Sequence, residues 1–114
     1  IIEGEEAGYM INRVYNDLVS MVKEALRDEI QVYLGAIPPT NADCQYHLEK
    51  KPLIPEINNR LEEFSRKYDG VTFIDYYHVL ADEDNNLIDK YSRDGLHISQ
   101  PGYQVMMDLL KEKI

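Results

Sequence analysis

The 114 residues suffice for one modest domain and not for two. A net charge of −9 argues against a nucleic-acid partner, because phosphate binding wants clustered Lys and Arg, and it predicts solubility. No apolar run approaches the roughly 20 residues of a membrane span, and no signal peptide is visible at the amino end.

The chain opens on Ile1 rather than Met, which leaves open whether Ile1 starts the gene product. Residues 5–27 carry Ala7, Met10, Ile11, Val14, Leu18, Met21, Val22, Ala25 and Leu26 in a stripe at helical spacing, with charges between them. This predicts a long amphipathic helix. Residues 30–37, I-Q-V-Y-L-G-A-I, are short, apolar and rich in strand formers, and Pro38-Pro39 stops them. They predict a buried strand, followed by a polar loop over 40–51. Residues 52–68 return to helical spacing, with Pro55 suited to a first turn. Ile57, Leu61, Phe64 and Tyr68 form the expected inner stripe, and Asp69-Gly70 ends it. Residues 71–75, V-T-F-I-D, predict a second strand. About twenty residues of mixed, acidic character follow, and connections of that length in a small domain are often functional. A last helix is expected over 101–113, with Ser99 or Gln100 at its cap and Val105, Met106, Leu109 and Leu110 facing inward.

Strands alternating with helices imply an α/β fold, a parallel sheet with helices on both faces. Only two strands are legible, whereas parallel sheets are covered on both faces and usually hold more. Three amphipathic helices cannot all pack well on two short strands. More chain, or a partner, is expected to complete the sheet.

The single cysteine, Cys44, cannot form an internal disulfide and has no C-x-x-C companion, so it reads as a plain free thiol. His47, His78 and His97 lack metal-ligand spacing, and neither a metal nor a cofactor is expected. The acidic run Asp82-Glu83-Asp84 reads as a solvated loop. The stretch S-R-D-G-L-H-I-S-Q-P-G-Y, residues 92–103, is the one that suggests chemistry. Asp94 and His97 stand three residues apart around Gly95, after a long loop and before a helix start. Asp94 could fix the tautomer of His97, whose other ring nitrogen could move a proton between a hydroxyl nucleophile and a leaving group. D-x-x-H alone is a weak signal, since Asp75-Tyr-Tyr-His78 repeats it; there Asp75 reads as a cap closing the second strand.

D-G-L-H followed by S-x-P-G-Y resembles the final block of the SGNH hydrolases, also called GDSL esterases and lipases. V-Y-L-G-A-I-P-P, the helix of I-P-E-I-N-N-R-L-E-E-F-S-R-K-Y and V-T-F-I-D follow that family's second half in order. The resemblance implies part of a flavodoxin-like three-layer α/β/α sandwich, with two strands and three main helices in this chain. It implies a serine esterase or lipase acting on lipid, carbohydrate or small-molecule esters. Asp94 would orient His97, and His97 would be the base. Asp75 and the P-P-T-N turn would be structural or at the rim. The family's nucleophile lies in a G-D-S block, and its oxyanion donors include the asparagine of a G-x-N-D block; neither block occurs here. Ser20, Ser65, Ser92 and Ser99 stand in no nucleophile elbow. Residues 1–114 are therefore expected to be the carboxyl-terminal portion of one such domain, with the nucleophile-bearing part absent and the isolated chain inactive. The alternative is a non-catalytic α/β module that completes its sheet with another chain or with a copy of itself. A receiver or nucleotide-binding domain is disfavoured, because no G-x-G-x-x-G and no G-K-[ST] loop is present.

Overall fold

The computed structural model describes residues 4–114. Its elements are α1 (Gly4–Arg27), β1 (Val32–Gly35), α2 (His47–Ser65), β2 (Val71–Ile74), α3 (Tyr76–Leu80), a 3₁₀ turn (Asp89–Tyr91) and α4 (Gln100–Lys113). The stripe of α1 buries Ile11, Val19 and Val22, with Val14, Tyr15, Leu18 and Leu26 packed beside them. Met10 and Met21, expected to face inward, lie on one flank of the stripe and are exposed. Tyr15 turns in and meets Phe64 edge to face, ring centroids 6.5 Å apart.

The first strand is shorter than the apolar run that encodes it, and its two ends show why. Glu29 takes a left-handed conformation (φ 60°) and the Ile30 N–H closes back on the Ala25 carbonyl at 3.0 Å, so Ile30 belongs to the helix terminus. At the other end, Ile37 is satisfied by a side chain. Its N–H donates to Asn58 Oδ1 at 2.8 Å, and its carbonyl accepts from Asn58 Nδ2 at 2.9 Å. An asparagine on α2 thus stands in for a neighbouring strand.

β1 and β2 pair in parallel from Val32 opposite Val71 to Gly35 opposite Ile74. The bonds from Val32 N to Gly70 O and from Ala36 N to Ile74 O, each 2.8 Å, set the phase of the ladder. Val32, Leu34 and Ala36 turn their backbone groups to β2, while Tyr33 and Gly35 turn theirs away, along an open edge. Tyr33 is exposed, so the strand is not buried on every side. Leu34, Val71 and the inner faces of α1 and α2 form the main core with Leu53, Ile57, Leu61 and Phe64. On the opposite face the Tyr76 ring covers Gly35, where a Cβ would stand 2.7 Å from it. Tyr76 in turn packs with Leu80, Leu87, Ile98 and the Val105 and Met106 side chains of α4. Helices therefore flank the sheet on both sides, as the α/β reading expects.

α2 departs most from expectation. It starts at His47, after Tyr46 in a left-handed conformation (φ 61°), and carries Pro52 and Pro55 inside it. Pro55, read as suited to a first turn, and Pro52 each remove a backbone donor without ending the helix. Burial of Leu53, Ile54, Ile57, Leu61 and Phe64 holds it together. Tyr68 lies beyond the helix end, its ring tilted against Phe64 at 4.9 Å. α4 begins as expected, with the Ser99 hydroxyl accepting from Gly102 N at 3.3 Å. No described helix is long and apolar enough to cross a membrane.

Leu61 is 0% exposed at the centre of the main core. Leu61→Ala is expected to lower the unfolding free energy by about 2–5 kcal/mol, read from urea denaturation.

Candidate active site

The turn that leaves β1 is buried from Pro39 to Asn41: Thr40 is 3% and Asn41 6% exposed. Burial obliges its polar groups to find partners, and Asn41 supplies most of them. Its side-chain Nδ2 donates to the Leu87 carbonyl at 3.1 Å and to Asp89 Oδ1 at 3.3 Å, while its Oδ1 accepts from Asp43 N at 3.0 Å. The Leu87 N–H returns a bond to the Thr40 carbonyl at 3.0 Å, and Asn41 N donates to the Gly95 carbonyl at 3.0 Å. One asparagine thus ties the end of β1 to the long connection after β2. The P-P-T-N segment, expected to be structural or at the rim, is the support on which the acid–histidine loop sits.

Gly95 makes that seat possible. Its φ is +88°, in the region that favours glycine, and a Cβ built on it would lie 2.3 Å from the Cys44 backbone nitrogen. The loop is also closed from within. Ser92 and Ile98 bridge, Arg93 N donates to the His97 carbonyl at 2.9 Å, and Gly95 N donates to Ser92 Oγ at 2.7 Å.

On this loop Asp94 Oδ1 accepts from the N–H groups of Leu96 (3.0 Å) and His97 (2.8 Å), while Oδ2 lies 2.7 Å from His97 Nδ1. The His97 backbone N–H, then its ring, then the Leu96 N–H hold the Asp94 carboxyl well below the usual carboxylate range. An ionised carboxylate only accepts, so Nδ1 carries the proton, and in the neutral ring Nε2 is left as an acceptor. The His97 side chain is 67% exposed, and among the described residues no hydroxyl bonds to it.

Asp75 and His78 build the same pair. Asp75 caps α3 by accepting from His78 N at 3.2 Å, and its second oxygen bonds His78 Nδ1. The cap expected at Asp75 is therefore present. The pair follows from local D-x-x-H geometry alone. What sets Asp94 and His97 apart is the seat under Gly95.

Three of the four serine hydroxyls are engaged elsewhere. Ser65 Oγ donates to the Glu62 carbonyl at 2.6 Å, Ser92 accepts from Gly95, and Ser99 donates to the Lys90 carbonyl at 2.8 Å. Ser20 lies on α1. Thr40 is buried and its Oγ1 pairs with His47 Nδ1 at 2.7 Å. Sequence reasoning missed the Thr40–His47 pair, the Asn41 clamp and the Asn58 pairing. The one available signal was a short polar pair directly after a strand-ending proline. Cys44 is buried and free, its Sγ 3.7 Å from Lys50 Nζ.

The family model of the GDSL-like lipases and acylhydrolases matches residues 4–105. Among solved structures, an acylhydrolase from Bacteroides fragilis, so described provisionally, is 27% identical with a TM-score of 0.80. The match covers 90% of this chain and 50% of that one. A GDSL-like lipase from Bacteroides thetaiotaomicron is 26% identical with a TM-score of 0.75, over 90% of this chain and 51% of its own. A protein from Streptococcus pneumonia, described provisionally as a platelet activating factor, is 28% identical with a TM-score of 0.76, over 90% and 51%. The chain thus spans about half the length of these structures. No curated protein matches it.

Two outcomes are expected of the loop. In a carbon-detected NMR titration the Asp94 carboxyl should titrate below the ordinary aspartate value. His97→Ala should raise its midpoint only part of the way, because the two backbone donors remain. The sign follows from linkage: the contribution of ionised Asp94 is complete above the ordinary carboxylate pKa and is lost as pH falls through its lowered folded value. Gly95→Ala should displace the loop from its seat, read as shifted Asn41, Cys44 and His97 amide resonances, at a cost of about 1–3 kcal/mol of stability.

Proposed function

The chain belongs to the GDSL-like lipase/acylhydrolase family, and from that premise we propose that Asp94 and His97 are the acid and base of its ester-hydrolysing site. The observation that carries the reading is a ring held by Nδ1 on an ionised carboxylate, with Nε2 open to solvent on a loop pinned by Gly95. In that state Nε2 takes the proton of a hydroxyl nucleophile as its oxygen attacks the ester carbonyl. It then gives the proton to the departing alkoxide, which leaves an acyl-enzyme. Water enters, is deprotonated in the same way, and releases the acid. Asp94 stabilises the imidazolium formed in each half-reaction and keeps the ring turned toward the nucleophile.

The nucleophile and the oxyanion donors belong, in this reading, to polypeptide outside these 114 residues, amino-terminal to them in the family's order. Three things support that. Among the described residues no serine hydrogen-bonds to the His97 ring, and Ser65, Ser92 and Ser99 are engaged elsewhere. The solved relatives are about twice as long as the matched segment. Tyr33 and Gly35 on β1 present backbone groups to no strand, which favours a further strand there. The same open edge favours a second reading, a non-catalytic module that associates through its sheet.

The 114-residue chain alone should hydrolyse p-nitrophenyl acetate no faster than an equal concentration of free imidazole, and should take no label from a fluorophosphonate. A saturable rate that disappears in His97→Ala would refute the external nucleophile. In a polypeptide joining this segment to the nucleophile, His97→Ala should lower kcat by roughly 10⁴-fold or more. Near-normal kcat there would refute the role of His97 and favour the module.

A further inference from the structure

We propose that the Asp94–Gly95 bond is a latent isoaspartate site: the hydrogen bonds of the loop keep it closed, and each departure of the loop from its seat opens the acid of the pair to rearrangement through its own backbone. The chemistry stands on the loop alone; its consequence for ester hydrolysis rests on the reading above. The reaction joins atoms of adjacent residues. The Gly95 amide nitrogen gives up its proton and bonds to Asp94 Cγ, and the carboxyl loses an oxygen as water, which closes a succinimide ring. Water then reopens the ring. Breaking the new bond restores aspartate. Breaking the original peptide bond leaves the main chain running through Cγ, with the free carboxylate on Cα. One water leaves and one enters, so mass and charge are unchanged. Glycine favours the step, because it has no Cβ to crowd the ring.

The chain holds two Asp-Gly pairs, Asp69-Gly70 and Asp94-Gly95, and the fold treats them differently. Asp69 and Gly70 form the turn between α2 and β2, closed by Val71 N on the Tyr68 carbonyl at 3.2 Å. Asp69 is exposed, and among the described residues neither its carboxylate nor Gly70 N makes a hydrogen bond. At the second pair both reacting groups are held. The Gly95 amide proton is engaged by Ser92 Oγ at 2.7 Å. Asp94 Oδ1 is fixed by the N–H groups of Leu96 and His97, and Oδ2 by the His97 ring. The same donors hold the carboxyl well below the usual carboxylate range, so it stays ionised, and a carboxylate is a poorer electrophile than a carboxylic acid. Asn41 N, on the Gly95 carbonyl at 3.0 Å, anchors the far side of the residue. Rearrangement therefore waits for several bonds to release together. It also destroys the pair, because an isoaspartate has a longer main chain and a shorter side arm than the one that brings Oδ2 to His97 Nδ1.

The test is peptide mapping of the 114-residue chain aged in neutral buffer. Trypsin cleaves after Lys67, Lys90 and Arg93 and so puts the two pairs in separate peptides. Electron-transfer fragmentation and labelling by an isoaspartyl methyltransferase then read isoaspartate in each. In the folded chain it should build up at Asp69 and do so about tenfold or more slowly at Asp94, because only the open loop reacts; in urea the two rates should converge. Ser92→Ala removes the acceptor of the Gly95 amide and should speed rearrangement at Asp94 about fivefold, the weight of one hydrogen bond, without changing Asp69. Ser92→Thr keeps the hydroxyl and should restore the slow rate. An Asp94 that rearranges as fast in the folded wild-type chain as in urea would overturn the proposal, and that comparison needs no variant. So would a Ser92→Ala chain, folded by its amide spectrum, that keeps the wild-type rate at Asp94. The readout needs no turnover. Slow rearrangement set by the loop, in a protein whose His97 proves dispensable, would sustain this inference while the catalytic reading fails. An active His97-dependent enzyme whose Asp94 is unprotected by folding would do the reverse.

Discussion

The contact between the backbone at Gly95 and the turn that follows β1 holds the functional end of this molecule together. Neither strand is long, and the connection after β2 runs through nineteen residues between α3 and α4 with only a 3₁₀ turn in it. Left to itself such a segment has few reasons to hold one conformation. Asn41 supplies them. Its amide and backbone gather Leu87, Asp89, Asp43 and Gly95 into one set of hydrogen bonds around a buried side chain. The cost of an unsatisfied buried amide makes that set hard to break singly. The imidazole of His97 is placed by this arrangement at one remove, through Gly95 and Asp94.

Much of the architecture was legible in the residues. The stripe of α1, the parallel strands, the Asp75 cap and the Ser99 start of α4 follow from periodicity, β-rich runs and capping chemistry. The failures come from terminus bonds and packing that the apolar pattern does not report. Residues 52–68 read as the second helix with Pro55 in its first turn, but α2 begins at His47, where the Thr40 hydroxyl meets His47 Nδ1. Residues 30–37 read as one strand, but the helix terminus takes Ile30 and the Asn58 amide takes Ile37. Met21 sits at helical spacing with its apolar neighbours and still faces solvent. The matches to the family model and the solved structures agree with the family to which the ordered blocks pointed.

The site was legible in its chemistry and not in its support. D-x-x-H builds an Asp–His pair wherever the chain turns into a helical or looped N–H cluster, and it does so twice here. The pair is therefore a product of local sequence, and its support is what separates Asp94 and His97 from Asp75 and His78. Gly95 carries more information, because its left-handed backbone and lack of a Cβ are needed only where the loop must press on a buried turn.

The Asn58 amide that closes on Ile37 also acts as a ruler. An incoming strand can bond to Tyr33 and Gly35, but at Ile37 it finds both backbone groups already taken. Pairing along that edge can therefore proceed over one short stretch and no further, so a partner sliding by two residues toward the loop meets a dead end. A strand joining the open edge therefore pairs over Tyr33 and Gly35 and gains no further backbone bond by reaching toward the loop.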